Sequence, residues 1–136
     1  MQATTDTTMT IRHMCRTFGV TPRALRFYES KELIAPIRSG TRRLYTPRDG
    51  ARLTLILRGK RFGFSLEAIR RMLDLGERTD ASGHAKIYDL GRERLRQLEA
   101  ERQDLDAAIT DLRSHLDGSE ESFAVYLGAT GLATAA

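Results

Sequence analysis

Residues 19–29 of this 136-residue chain read GVTPRALRFYE, the most informative segment of its sequence. Gly19 can adopt the left-handed conformation that ends a helix, and Thr21 followed by Pro22 supplies the N-cap and first residue of the next helix. Upstream, residues 10–18 place a threonine cap ahead of apolar side chains at helical spacing. A short helix, a glycine-containing turn and a second short helix predict a helix-turn-helix.

The residues after this motif predict a small hairpin and two further helices. Apolar residues at 33–37 and the RRLY run at 42–45 flank a polar, glycine-bearing turn at 38–41, a pattern typical of a wing. A threonine–proline pair begins a third helix over about 47–61, and a serine caps a fourth over 66–75. The sequence therefore predicts a mainly α fold with a winged helix-turn-helix.

The second half of the chain predicts one long helix with an apolar seam. Its apolar residues fit a heptad repeat, interrupted by Gly91 and Arg102, and the rest of its surface is charged. Because so narrow a stripe needs a partner helix, we expect a coiled coil; the alternative is that the helix folds back on its own domain. The predicted dimerisation residues are Leu95, Leu98, Arg102, Leu105, Ile109, Leu112 and Leu116.

The predicted organisation has five segments. A flexible leader at 1–9 precedes the DNA-binding domain at 10–75, and a polar linker at 76–83 leads to the dimerisation helix at 84–117. The tail at 118–136 loses the heptad periodicity, and its apolar cluster is expected to dock on the coiled coil.

Charge divides the chain into a basic and an acidic half. Residues 9–71 carry a net charge of +11 and residues 72–136 a net charge of −6, against +4 for the whole chain. The basic half has the electrostatic character of a polyanion-binding surface. With 40% hydrophobic and 29% charged residues, no apolar run long enough for a membrane and no signal-peptide pattern, a cytoplasmic protein is expected.

The residues that carry catalysis or bind metals are sparse. His13, His84 and His115 lie far apart in the sequence, and no metal-binding or nucleophile motif accompanies them. Cys15, the only cysteine, can form neither an internal disulfide nor a cysteine cluster, and is expected to be a buried thiol. The sequence therefore predicts no enzyme activity, no cofactor and no metal site.

Two kinds of contact are needed to read DNA: contacts to phosphates fix position, and contacts to base edges read sequence. The second helix offers Thr21, Arg23 and Arg26, of which Arg23 is the best candidate to pair with a guanine. The candidates for phosphate contacts are Arg12 and Arg16 on the first helix and Arg38, Thr41, Arg42 and Arg43 in the wing.

Five segments of the sequence resemble the MerR family of bacterial transcription regulators. They are residues 10–20, GVTPRALRFYE at 19–29, LIAP at 33–36, RLY at 43–45 and GFSLEAI at 63–69. The resemblance covers residues 10–75 closely, and the long helix matches in kind. It implies a homodimer joined by an antiparallel coiled coil on a pseudo-palindromic operator, whose DNA is distorted so that RNA polymerase can use the promoter.

The resemblance also adds candidate contacts. Phe27, Tyr28, Arg43 and Tyr45 match aromatic and basic positions of the family, with phenylalanine rather than tyrosine at position 27. Thr41 and Arg42 stand where the family commonly has a glycine and a tyrosine, so the contacts of this wing differ.

The sequence leaves alternatives open for the effector of the protein and for its function. Since no cysteine follows Cys15, thiolate metal sensing is not expected, and a small-molecule effector is not identified. The short tail and residues 55–75 look similar to MerR-type regulators of branched-chain amino acid and fatty acid breakdown. The alternative functions are an architectural or excisionase-like DNA-binding protein and, disfavoured by the basic half, a coiled-coil protein that binds no DNA.

Overall fold

The computed structural model describes residues 7–78 and 80–133. Most of the predicted leader and the last residues of the predicted tail therefore lie outside the described part. The chain divides into two compact units between Leu90 and Gly91. Helices dominate both units, and among the described residues a small sheet lies in the first.

The first unit follows the predicted order of elements. It contains β1 (Met9–Thr10), α1 (Ile11–Phe18), α2 (Pro22–Ser30), β2 (Ile37–Ser39), β3 (Arg42–Tyr45), α3 (Pro47–Arg61) and α4 (Leu66–Glu77). Helix α5 (Ala81–Leu116) begins in this unit and continues through the second, where α6 (Glu120–Leu127) and a 3-10 turn (Ala129–Gly131) follow. The mainly α fold with a winged helix-turn-helix and a long C-terminal helix is confirmed.

The helix boundaries come from local capping. The Thr10 and Thr21 hydroxyls accept hydrogen bonds from the backbone N–H of His13 at 3.2 Å and of Ala24 at 3.1 Å. Between the two helices Gly19 has a φ of +67°, the left-handed conformation that glycine adopts without steric cost. The turn between α1 and α2 is thus set by side chains within a few residues of it.

The sheet has three antiparallel strands in the order β1-β3-β2. Arg38 lies opposite Arg43 in the β2–β3 hairpin, which is the predicted wing. Strand β1, in which Met9 pairs with Tyr45, was not expected, because the sequence predicts a leader up to residue 9. The added strand satisfies backbone groups along the other edge of β3.

One apolar core holds the first unit together. It comprises Met14, Leu25, Tyr28, Leu33, Ile34, Tyr45, Leu53, Ile56, Ile69, Met72 and Leu73. Cys15 packs against this core but is only half-buried, so the expectation of a buried thiol holds in part. Helices α3 and α4 approach closely at Gly59, where an added Cβ would lie 2.8 Å from Cγ1 of Ile69.

A buried carboxylate joins the two ends of the wing. Asp49 is 3% exposed and accepts hydrogen bonds from the backbone N–H of Ala35 and of Thr46, both at 3.0 Å. The Thr46 hydroxyl donates to Asp49 Oδ2 at 3.1 Å and accepts from the Asp49 N–H at 3.2 Å, which completes a capping box. Ala35 lies two residues before β2 and Thr46 directly follows β3, so Asp49 fixes both ends of the hairpin.

The long helix starts earlier than the sequence predicts. It begins at Ala81 rather than residue 84, and α4 extends to Glu77, so the predicted linker at 76–83 is largely helical. In the first unit, Ile87 and Leu90 pack against the core, so these first turns do fold onto the domain. In the second unit the seam residues Leu95, Leu105, Ile109, Leu112 and Leu116 are 43% to 60% exposed, Leu98 is half-buried and Arg102 is exposed.

The tail is more ordered than its lack of periodicity suggests. Ser119 caps α6 through a hydrogen bond from the N–H of Ser122 at 3.0 Å, and Gly128 ends it in the left-handed conformation. The Tyr126 ring stacks on His115 with ring centroids 3.5 Å apart. Across the described residues, no helix is long and apolar enough to cross a membrane.

Candidate nucleic-acid interface

Helix α2 presents a polar face because its opposite face is anchored in the core. Leu25 and Tyr28 are buried, and the helical repeat then turns Arg23, Arg26 and Phe27 toward solvent. Thr21 is exposed at the N-terminus of α2, where its hydroxyl serves as the cap. The structure thus brings four predicted contact residues, Thr21, Arg23, Arg26 and Phe27, to the exposed side of one short helix.

A groove runs beside this helix. It has a volume of about 390 Å³ and is lined by Thr21, Arg23, Ala24, Phe27, Tyr28, Lys60 and Leu66. Lys60 contributes a positive charge from the end of α3, with its Nζ 5.8 Å from the centre of the Tyr28 ring. Lys31 lies at the other end of α2, with its Nζ 5.7 Å from the centre of the Phe27 ring.

The predicted contacts do not include these two lysines or the nearby Arg58, Arg61 and Arg70. The RGKR run at 58–61 was the signal that could have identified Lys60, since its three basic side chains are all exposed at the end of α3. Arg70 on α4 donates a hydrogen bond to the Lys31 carbonyl and so holds the end of α2 against α4. Basic groups from three helices therefore line or border the polar face of α2.

The wing is attached to α2 by one acidic side chain. Glu29 accepts hydrogen bonds from Nη2 of Arg38 at 2.5 Å and from Nε of Arg43 at 2.7 Å. Partial burial alone would raise the pKa of Glu29, but the hydrogen bonds from Arg43 and Arg38 lower it below its ordinary value. Thr41 and Arg42 remain exposed at the tip of the hairpin.

Two predicted contact residues lie in the core instead of on the interface. Tyr28 is 2% exposed and Tyr45 is fully buried, because the inward faces of α2 and β3 carry them. Burial raises the pKa of the Tyr45 hydroxyl, and this hydroxyl has no hydrogen-bond partner among the residues that the structure describes. Both are therefore corrected to core residues, although one side of Tyr28 also lines the groove beside α2.

Other arginines of the basic half stabilise the domain itself. Arg48 and Arg52 share Oε1 of Glu77 at 2.9 and 2.8 Å, and Arg52 also donates to the Leu33 carbonyl at 2.6 Å. These hydrogen bonds, first from Arg48 and then from Arg52, lower the pKa of Glu77. By contrast, Arg12 and Arg16 are exposed one turn apart on α1 and are available for a partner.

Few side chains of metal-binding type lie together. Within residues 7–78 and 80–133, no group of three histidine, cysteine or acidic side chains could hold a metal ion. Around α2 and the wing, the described site consists of arginines, lysines, two threonines and an exposed phenylalanine. Positive charge, a hydroxyl and an aromatic face are groups that contact phosphates, sugars and base edges.

Known proteins resemble this chain over most of its length. Residues 9–75 match the model of the MerR HTH family regulatory protein, and residues 51–115 match that of MerR, DNA binding. The chain is 34% identical to HmrR of Sinorhizobium medicae over 116 residues, which are 81% of this chain and 78% of HmrR. It is 36% identical to ZntR of Escherichia coli K12 over 94 residues, 66% of this chain, and so spans only 65% of the length of ZntR.

A solved structure gives the same assignment. The transcription regulator PbrR691 of Ralstonia metallidurans, in complex with lead(II), superposes with a TM-score of 0.62 at 29% identity, over 82% of this chain and 90% of PbrR691. The expected similarity to regulators of branched-chain amino acid and fatty acid breakdown finds no support in these relatives. On the family models and the relatives together, the chain belongs to the MerR family of helix-turn-helix regulatory proteins.

Proposed function

We propose that the protein is a sequence-specific DNA-binding transcriptional regulator that acts as a homodimer on a pseudo-palindromic promoter operator. The observation that carries the proposal is the exposed face of α2, where Arg23 and Arg26 lie beside a groove that Lys60 also lines. A short helix that is anchored by its apolar face and basic on the other can enter a major groove. Membership of the MerR family supports the same function.

Each exposed group has a proposed role. Arg23 reads a base edge, since a guanidinium pairs with guanine through two hydrogen bonds. Thr21, Arg26 and Phe27 contact the backbone around it. The remaining phosphate contacts come from the exposed arginines of α1 and from the wing, which are Arg12, Arg16, Arg38, Thr41 and Arg42.

The exposed seam of α5 supports dimerisation. A helix of 36 residues is about 54 Å long, and five of the seam's leucine and isoleucine side chains are 43% to 60% exposed in the single chain. Pairing of two such helices as an antiparallel coiled coil would cover this stripe and join two α2 helices in one dimer, so that the distance between them becomes a property of the dimer. That distance sets the spacing of half-sites, about 34 Å or a multiple of it.

The dimer would control RNA polymerase by deforming the DNA between two half-sites. Contacts at both ends offset the cost of bending and untwisting the centre, so the promoter elements are realigned for the polymerase. Such a regulator works where promoter DNA is, in the cytoplasm. PbrR691 carries lead(II) in its solved structure. Because the given chain has a single cysteine, the effector proposed for it is a ligand other than a thiolate-bound metal.

Footprinting on the DNA upstream of the protein's own gene tests the proposal. One protected, symmetric site that spans promoter elements is the expected result. Uniform coverage without sequence preference would instead favour an architectural or excisionase-like protein. Arg23→Ala should weaken the protection of this site. Its matched control is Arg113→Ala, which removes an equal charge from the last turn of α5 and should leave the protected site unchanged.

A further inference from the structure

Glu29 lies between two arginines whose surroundings differ. The side chain of Arg43 is 23% exposed and that of Glu29 20%, whereas Arg38 is 54% exposed. Both partners of the Glu29–Arg43 contact are therefore largely shielded from solvent, whereas Arg38 is the exposed partner of the Glu29–Arg38 contact.

The strand register makes this carboxylate necessary. Arg38 and Arg43 lie directly opposite each other in the antiparallel hairpin, where two like charges repel. Glu29, on the last turn of α2, accepts a hydrogen bond from each of them. The same carboxylate thus neutralises the pair and ties the wing to the helix that carries Arg23 and Arg26.

We propose that Glu29 is a positioning residue of the DNA interface. Its ion pair with Arg43 persists when DNA binds, whereas a DNA phosphate replaces Glu29 as the partner of Arg38. This inference rests on the proposed function. A phosphate presents oxygen acceptors to a guanidinium much as a carboxylate does. Arg38 can change partners by rotating its exposed side chain, whereas a move of Arg43 would leave a half-buried charge unpaired.

The substitution Glu29→Gln separates the two roles. Its amide oxygen can still accept from Arg43, while its NH₂ group faces Arg38 and cannot accept a hydrogen bond. The variant therefore releases Arg38 and keeps the wing in place. Glu29→Ala removes both acceptors. Both substitutions remove the charge that neutralises the two arginines, but only Glu29→Ala also removes the acceptor that holds Arg43.

The decisive test is DNA affinity in a double-mutant cycle. Because an exposed ion pair contributes little, Glu29→Gln is expected to bind the footprinted operator about two- to five-fold more tightly than wild type. Arg38→Ala should then cost more affinity in the Glu29→Gln background than in wild type. Binding by Glu29→Gln that is unchanged or weaker, or an equal cost of Arg38→Ala in both backgrounds, would overturn the exchange.

A second readout does not involve DNA. The Nε–H signal of Arg43 in nuclear magnetic resonance spectra should stay protected from solvent exchange in wild type and in Glu29→Gln, and lose protection in Glu29→Ala. Equal exchange in all three proteins would refute the positioning role. If instead the signals behave as expected while no DNA sequence is preferred, the proposed function has failed and the tether between wing and helix stands.

Discussion

Replacement of Asp49 by alanine perturbs both the stability of the first unit and the placement of its wing. The carboxylate is 3% exposed and accepts three hydrogen bonds, from the Ala35 N–H, the Thr46 N–H and the Thr46 hydroxyl. Asp49→Ala leaves all three donors without this acceptor, and both ends of the hairpin lose their common anchor.

The expected cost follows from these contacts. A hydrogen bond to a charged group contributes about 1.5–3 kcal/mol, and the bonds on one carboxylate are not additive. The reciprocal half of the capping box, through the Thr46 hydroxyl, can survive the change. We therefore expect Asp49→Ala to lower the free energy of unfolding by about 2–4 kcal/mol. Asp49→Asn, which keeps one acceptor oxygen, should lose roughly half of that.

Denaturant unfolding followed by circular dichroism measures this cost. All variants are compared at one protein concentration, because dimerisation would make the apparent stability depend on it. The matched control is Asp74→Ala, an exposed acidic residue on α4, which should change the free energy of unfolding by no more than about 0.5 kcal/mol. If Asp49→Ala is as stable as this control, Asp49 does not anchor the wing.

Four further predictions concern the interface, the dimer and pH. Arg23→Ala should cost about 1–3 kcal/mol on the operator and relax the preference at one base position, as seen by anisotropy with single-base operator variants; an equal loss on every sequence would contradict base reading. Arg42→Ala should lower the slope of log affinity against log salt by about one, and an unchanged slope would argue against a phosphate contact. Joint replacement of Leu105 and Leu112 by lysine should give monomers in sedimentation, whereas a surviving dimer would disprove the seam. Arg43 and Arg38 lower the pKa of Glu29, so the stabilising effect of Glu29 is present above its unfolded-state pKa and is lost as the pH falls through the lowered, folded-state pKa. The free energies of unfolding of wild type and Glu29→Gln should therefore converge as the pH is lowered, and parallel curves would contradict the pairing.

The elements of the fold were predictable where the signals are local. Thr10, Thr21 and Ser65 each cap a helix through a backbone N–H three residues away, so the sequence places those starts correctly. The cap signals of the tail are equally local: Ser119 begins α6 and Gly128 ends it. Apolar periodicity alone does not predict this helix, since the tail lacks it, whereas the two caps do.

The contacts that organise the candidate interface were not predictable in the same way. Glu29 meets Arg43, and Asp49 meets Ala35, across fourteen residues of sequence, and only the folded hairpin brings them together. Tyr45 was assigned to the interface by resemblance, whereas the strand pairing of β3 turns it into the core. Which arginines are free for DNA likewise depends on tertiary partners such as Glu77, which already engages two of them.

We propose above that a dimer of this chain reads a specific DNA sequence through α2. The most direct measurement is sedimentation of a fluorescent operator duplex with the protein, alongside a shuffled duplex of equal composition at the same salt concentration. We expect two chains on each operator and an affinity for the shuffled duplex that is at least about 10³-fold weaker. Equal affinity for the two duplexes would contradict it.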